Sequence, residues 1–437
     1  MKTNKWLEQG LKEGFDALEI LIHENKSFKL SLEQGKIDAC VHSNVKSFIV
    51  RGIYQNQKTS FSLEKLDDEA FLDALKNMKE NCQNITSKEP ALIFEGPATY
   101  PEVKENKFDF SQIPLDHKIQ LLKELEKTIS ESVYLQKIDD LIYKESFSKT
   151  TLLNSKKVSL SHQNSCAYLY ASGVFQKDKD IESFGESTLE KTFDAFDPVK
   201  LGRQIVDTTE KKIGGVSILS QKYPVVFSNE MFAELLDGFS DIFSGNSAYR
   251  NLTKLKDKVN HLIATPIVNL FDDPLHERAY FQEKFDEECV PCQTKPIIYQ
   301  GAFKGFIHNL KTAHFFKEKP TGNGFGGGIS MVNCYLEPGK NSFQELIAPI
   351  QNGVYITDLI GLHAGIKTVS GDFSLQASGF KIEAGKITSP VKMIVLSGNF
   401  FQVLKDIVGI ANDFEFQTSG FGSASVCVSS LSIAGKN

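Results

Sequence analysis

Apolar and polar residues alternate along much of the first 65 positions of this chain. The runs LEILIHE, FKLSLEQ, KIDACVH, VKSFIVRGIYQ and KTSFSLE place apolar side chains two residues apart, with Gln-Gly, Ser-Asn and Asn-Gln between runs. That period predicts a meander of antiparallel strands. Helical spacing precedes it over residues 4–14 and follows it over 67–80, where Ala70, Phe71, Ala74, Leu75 and Met78 share one face. A helix near 115–130 opens another strand series, and a helix near 197–210 closes it. Arg51-Gly52-Ile53-Tyr54-Gln55 aligns on Ser172-Gly173-Val174-Phe175-Gln176, an offset of 121 residues that also pairs Lys36 with Lys157, Ile37 with Val158 and Lys58 with Lys179. The matches are mostly alternating apolar positions, so an internal repeat and chance convergence of two β-patterns explain them equally well.

Residues 1–212 therefore read as one α+β domain. The paired glycines Gly214 and Gly215 relax the backbone into a hinge, and a second domain is expected over 217–437. It begins with the strand YPVVFS and an apolar helix over 231–243; glycine-punctuated strands follow, with helices near 343–349 and 399–407. Such a succession predicts a curved or barrel-like sheet. Two domains also suit 437 residues, since a single core stops growing well below that length.

Composition narrows the function. The 49 basic and 55 acidic side chains give a net charge of -6, with no Lys/Arg block dense enough to neutralise a run of phosphates, which argues against direct nucleic-acid binding. Seven scattered cysteines suit a reducing cytoplasm better than a disulfide framework. The stretch MKTNKWLEQGLKEGFDALEI lacks the apolar core of a signal peptide. No run approaches the roughly 20 apolar residues of a membrane span. A soluble, cytoplasmic protein is expected.

Several motifs resemble chemical sites. Gly322-Asn323-Gly324-Phe325-Gly326-Gly327 satisfies GxGxxG, yet a strand, not a helix, is expected after it, so a dinucleotide is not implied. The glycine density instead lets backbone pass close to another backbone or to an extended peptide. His363 and Asp372 flank a Gly/Ser turn that would line a peptide cavity or serve as an ordinary β-turn. Cys289-Val290-Pro291-Cys292 has no second CxxC and no thioredoxin-like context, so it reads as a solvent-near turn with two free thiols. His276-Glu277-Arg278-Ala279-Tyr280-Phe281 starts like a zinc-protease motif, but Tyr280 and Phe281 stand where a second histidine is needed. His308 and His314, six residues apart, would face different ways on a helix.

The stretches TGNGFGGGISMVNCYLEPG, NGVYITDLIGLHAGIKTVSGDFSLQASGFKIEAGKITSPV and LSGNFFQVLKDIVGIANDFEF, with a terminal SLSIAGK, occur in an order that resembles the TldD/PmbA family of metallopeptidase-related proteins, also called modulators of DNA gyrase, and most closely its PmbA (TldE) branch. Active members carry an HExxxH zinc helix and a thiolate near the C-terminus. The resemblance places Met231-Phe232-Ala233-Glu234-Leu235-Leu236-Asp237-Gly238 on that helix, with both histidines absent and Glu234 in the glutamate's place. It brings Ser423 near the cysteine position, with Cys427 the only thiol close by, and serine cannot replace thiolate at a soft zinc site. The resemblance thus implies a chain without catalytic or metal-binding residues of its own. Zinc would sit on a TldD-like HExxxH partner, and the two chains would enclose a chamber for unfolded or short peptides. A peptide-binding or scaffolding homodimer is the alternative. Peptide-cavity lining falls on Gly322, Asn323, Gly324, Gly326, His363 and Asp372.

Overall fold

A computed structural model describes residues 2–84, 87–97 and 99–436. The chain forms two compact units, Met1–Ile213 with Phe285–Pro291, and Gly214–Lys284 with Cys292–Asn437. No helix among the described residues is long and apolar enough to cross a membrane.

The first unit repeats one pattern, helix, three strands, helix. Its first copy is α1 (Lys2–Lys12), β1 (Ala17–Glu33), β2 (Lys36–Tyr54), β3 (Gln57–Leu63) and α2 (Asp68–Asn84); its second is α3 (Leu115–Ile129), β4 (Leu135–Asn154), β5 (Ser159–Lys177), β6 (Asp180–Glu190) and α4 (Pro198–Lys212). The strands form one antiparallel sheet in the order β3-β2-β1-β4-β5-β6, so β1 and β4 meet at its centre and the copies lie back to back. The closing pair of the β2–β3 hairpin is Tyr54 with Gln57, and that of β5–β6 is Lys177 with Asp180, 123 residues on. Gln55, Asn56 and Asp178 turn these hairpins with positive φ. The break expected at Ser43-Asn44 does not occur, because Ser27 and Lys26 of β1 pair with these residues and β2 runs straight through.

Periodicity explains the two cores. Phe71, Ala74, Leu75, Met78 and Cys82 form the buried stripe of α2, and Phe71, Leu75 and Met78 meet Trp6, Leu18, Ile20 and Val50. Leu122, Leu125 and Ile129 of α3 and Leu201 and Ile205 of α4 cover Tyr143, Leu169 and Phe175. Each such Leu, Ile, Phe or Met side chain stabilises the fold by roughly 1.5 to 3 kcal/mol when fully buried. Asp197 caps α4 by accepting from the Lys200 amide, and Pro198 begins the helix, where its missing N–H is harmless.

Residues 285–291 join this unit through polar anchors. The Arg51 guanidinium pairs with Glu19 Oε1 at 2.9 Å and donates to the Glu287 carbonyl. The Cys289 thiol donates to Glu19 Oε2 at 3.3 Å, and the Tyr100 hydroxyl to the Cys289 carbonyl at 2.6 Å. Burial, then the Glu19 carboxylate, push the Cys289 thiol far up. Cys292 belongs to the second unit and donates to the Gly322 carbonyl at 3.2 Å. Both thiols are free and both are buried. The expected solvent-near turn is thus corrected: apolar Val290 and these hydrogen bonds draw the segment inward.

The second unit comprises β7 (Gln221–Phe227), α5 (Asn229–Phe239), α6 (Gly245–Tyr249), β8 (Leu270–Asp272), β9 (Lys295–Tyr299), β10 (Ala302–Phe303), α7 (Leu310–Phe316), β11 (Cys334–Leu336), α8 (Phe343–Ile347), β12 (Asn352–Ile360), α9 (Leu362–Gly365), β13 (Ile366–Lys367), β14 (Asp372–Glu383), β15 (Lys386–Asn399), α10 (Phe400–Asp406), β16 (Ile407–Ile410), β17 (Glu415–Phe416), β18 (Phe421–Ser423) and β19 (Val426–Ala434). Strands β12, β7, β19, β15 and β14 pair in that sequence, and β14 returns to β12, closing a five-stranded barrel. The barrel-like expectation holds. Only β12 with β7 is parallel among these pairs. Closure needs Gly379 at the β14 bulge, since a Cβ there would lie 1.9 Å from the Tyr355 carbonyl oxygen. A second sheet, β10-β9-β8-β11-β18-β17, packs α5 through β18.

Candidate functional site

Helix α5 presents two unlike flanks. Met231, Phe232, Leu235, Leu236 and Phe239 are buried, and the Phe239 ring stacks on Phe400 at 4.5 Å. Ser228 starts the helix by accepting from the Met231 amide. On the other flank Glu230, Glu234 and Asp237 recur at helical spacing, and with Gly238 they line a cavity of about 460 Å³. The facing wall is Leu362, His363 and Ile366, and the rim is Gln417 to Ser419 from the turn between β17 and β18. Among the described residues no lysine or arginine lines this cavity.

The electrostatics follow. Burial raises the Glu234 carboxyl above the ordinary glutamate range, and the Asp237 and Asp358 carboxylates add to the shift. Asp237 is raised by desolvation too, although the residue keeps a substantial exposure. Desolvated carboxylates without a neighbouring cation favour N–H donors, such as an extended backbone or an ammonium group. A carboxyl raised on folding makes the native state hold its proton more firmly than the unfolded chain does. Stability from this source is therefore greatest below the ordinary glutamate pKa and is lost as pH rises through the raised value. Glu234→Gln is expected to raise the melting temperature at pH 7, with the gain over wild type shrinking toward zero as the pH falls below 4.5, the ordinary value. Paired melting curves across that range provide the check.

Of the residues singled out in the sequence, the fold brings Glu234 and His363 into one cavity. The others lie elsewhere. Asp372, at the start of β14, is exposed; its carboxylate accepts from Asn399 and its amide donates to the Ser370 hydroxyl, and the Asn399 bond leads in holding its carboxyl low. Asn323 is fully buried and donates to Asp272 Oδ2 and to the Ser330 carbonyl, each at 2.8 Å. It anchors the glycine loop from within. Gly322 and Gly324 are buried beside it, whereas Gly326 and Gly327 are exposed, have φ of 57° and 72°, and have open space on the side where a Cβ would project, with no atom within 4 Å of it. Glu230, Asp237 and the Gln417 to Ser419 rim escaped the sequence reading. The spacing of the three acids along α5 carried a signal for two of them; nothing local marks the rim.

His276 and His308 have structural surroundings, whereas His314 is exposed near the end of α7. His276 sits among Tyr335, Phe414 and Phe416, and burial lowers its pKa. His308 is buried before α7 and shares a hydrogen bond with Thr312. The buried Ser423 hydroxyl donates to the Ala424 carbonyl, and Cys427 packs with Val226, Ile347 and Ile350. Burial pushes the Cys427 thiol up to about 11, away from the thiolate a soft metal requires. Among the described residues no group of three or more His, Cys, Asp or Glu side chains is arranged to hold a metal ion.

A motif-poor helix on a closed barrel, in a chain that also carries a repeated α+β sheet, defines the class, and comparison with known proteins places it. Profiles of the PmbA/TldA metallopeptidase match over residues 18–82 (domain 1), 108–213 (central domain) and 220–435 (C-terminal domain). The chain belongs to the PmbA/TldD metallopeptidase family. It is 25% identical over 397 residues to a metalloprotease PmbA homologue of Buchnera aphidicola, covering 88% of this chain and 86% of that one. The metalloprotease PmbA of Escherichia coli is 24% identical over 436 residues, with 96% and 93% covered. Among solved structures, a Thermotoga maritima protein described as a candidate modulator of a DNA gyrase superposes with a TM-score of 0.92 at 29% identity over 99% of both chains. TldE from Thermococcus kodakarensis gives 0.88 at 20% identity over 100% of both, a likeness of fold.

Proposed function

We propose that this chain is the non-catalytic, TldE/PmbA-like subunit of a cytoplasmic TldD/TldE-type metallopeptidase that degrades or matures unfolded or short peptides, the zinc residing on an HExxxH partner. One observation carries the reading. With Glu234 at the glutamate of HExxxH, the two imidazole positions fall on Ala233, which is fully buried, and Gly238, which lines the cavity. Neither side chain has a donor atom, and the hydroxyl of Ser423 is spent on a backbone carbonyl. These residues do not fit zinc, so no step of hydrolysis is assigned to them.

What the helix keeps is its carboxylate flank. Glu230, Glu234 and Asp237 face an open cavity with His363 across it, an arrangement suited to gripping the N–H groups of an extended peptide. Peptide holding, not water activation, is the role proposed for this surface. Glu234→Gln in a reconstituted two-chain complex should then leave the turnover rate within about twofold, because loss of an activating base costs on the order of 10² to 10⁴. Steady-state cleavage of an unfolded peptide by wild-type and variant complexes is the assay, and a hundredfold drop would assign the chemistry to this helix.

A further inference from the structure

The first unit contains a cavity of about 600 Å³ that plays no part in the reading above. Sheet register builds one wall. Phe28 of β1 stands between His42 of β2 and Glu145 of β4, and one step along, Lys26 stands between Asn44 and Phe147. Residues two apart on a strand share a face, so these six project together. Phe108 and Phe110, whose rings meet edge to face at 4.7 Å, line the opposite side.

The inner charges are already engaged. Lys118 and Glu145, 5% and 8% exposed, pair with each other; the Tyr143 hydroxyl donates to Glu145 Oε1 at 3.0 Å, and the Lys118 ammonium lies 4.6 Å from the centre of the Phe28 ring. Asp109 accepts from the Ser111 amide and hydroxyl and from Gln112. Lys107 is drawn toward Glu105 at 3.6 Å. Lys26 differs. It is exposed, its ammonium sits 5.5 Å over the Phe147 ring, and it makes no ion pair among the described residues. The cavity thus combines aromatic walls, a paired Lys118 and Glu145 on its floor, an Asp109 carboxyl held low by Ser111 and Gln112 and more weakly by Lys26, and the Lys26 ammonium at its wall.

We propose that this cavity binds a carboxylate carried on an aromatic or branched apolar body, with Phe28, Phe108, Phe110 and Phe147 enclosing the body and Lys26 holding the carboxylate. The volume lies in the range of small-molecule sites, where apolar walls supply burial and one or two polar groups fix orientation. The same chemistry belongs to the C-terminal residue of a peptide and to a free arylalkanoic acid. It extends beyond the subunit assignment and does not depend on it, since binding is read on this chain alone and without cleavage.

Calorimetric titration of the full chain at pH 7 with N-acetylglycylphenylalanine, its C-terminal amide and 3-phenylpropanoate tests the proposal. Saturable one-to-one binding of at least one acid is expected, with the amide weaker by about tenfold or more, as the loss of a charge-assisted contact implies. Lys26→Glu and Phe147→Ala should each weaken the acid by about tenfold or more. Lys29→Glu, on the opposite face of β1, should leave binding unchanged. Tighter binding of the peptide assigns the site to peptide C-termini, and tighter binding of phenylpropanoate assigns it to free acids. Failure of both acids to saturate at millimolar concentration overturns the proposal. So does equal binding of the amide, or an unchanged affinity in Lys26→Glu protein, whose exposed substitution leaves folding intact by circular dichroism.

Discussion

Asp272→Ala is expected to destabilise the second unit by about 3 to 5 kcal/mol, the usual cost of removing one partner from a buried ion pair. Asp272 is fully buried at the end of β8, and Lys295 of β9 pairs with its Oδ2 at 2.7 Å. Asn323 donates to the same oxygen and the Val332 amide to Oδ1, at 2.8 and 2.6 Å. Alanine would leave the largely buried Lys295 ammonium without its counter-charge and two further donors without their acceptor. A single carboxylate therefore ties the sheet to the glycine loop. Denaturant unfolding, read by a probe in the second unit, should show the loss. Asp272→Asn should cost less, because it still accepts hydrogen bonds. A loss below about 1 kcal/mol in the alanine variant, the level of an exposed pair, would mean that the pair contributes no more than a surface contact.

Acid should destabilise the protein partly through His308. Burial alone lowers its pKa from 6.5 to about 4, and the ring stands 4% exposed beside Thr312. The unfolded chain binds this proton as the pH falls through 6.5, whereas the native state refuses it until about pH 4. Stability from the neutral ring is thus complete above 6.5 and is progressively lost down to about 4, a change on the order of 3 kcal/mol at 1.36 kcal/mol per unit. His308→Gln should flatten the stability profile by that amount between these limits. Glu234 acts in the opposite sense at the acid end, so the informative quantity is the difference between variant and wild type at each pH. Parallel profiles would show that His308 titrates freely in the folded state.

Local pattern carried the longer helices and the class of this fold, but not the short α6, α7 and α9. The periodicity over 115–130 and 197–210 anticipates α3 at Leu115–Ile129 and α4 at Pro198–Lys212, because an amphipathic stripe is a property of consecutive residues. Strand pairing is a property of distant ones. Ser43-Asn44 has the composition of a turn but is held straight by β1, and the parallel contact of β12 with β7 joins residues more than 120 positions apart. Barrel closure could be expected in kind but not in register.

The site was legible to a similar depth. Glu234 stood out through its helix, and the spacing of Glu230 and Asp237 was open to view along the same flank. That His363, rather than Asp372 or the glycine loop, would face them depends on how β12 delivers α9 to the cavity. The Asp272, Lys295 and Asn323 cluster spans three separated segments, and no periodicity marks a buried hydrogen-bond network. Cys289 and Cys292 show the same limit: their spacing suggested a shared turn, while their partners draw them into different units.

The most direct measurement is the zinc content and peptide cleavage of this chain alone and after mixing with an HExxxH family partner, both purified without chelator. Substoichiometric zinc and no cleavage are expected for the isolated chain, and, for the isolated complex, cleavage with one zinc per pair that remains with the partner when the two are separated. One tightly held zinc on this chain, or peptide cleavage by it in the partner's absence, would instead make it a catalytic subunit.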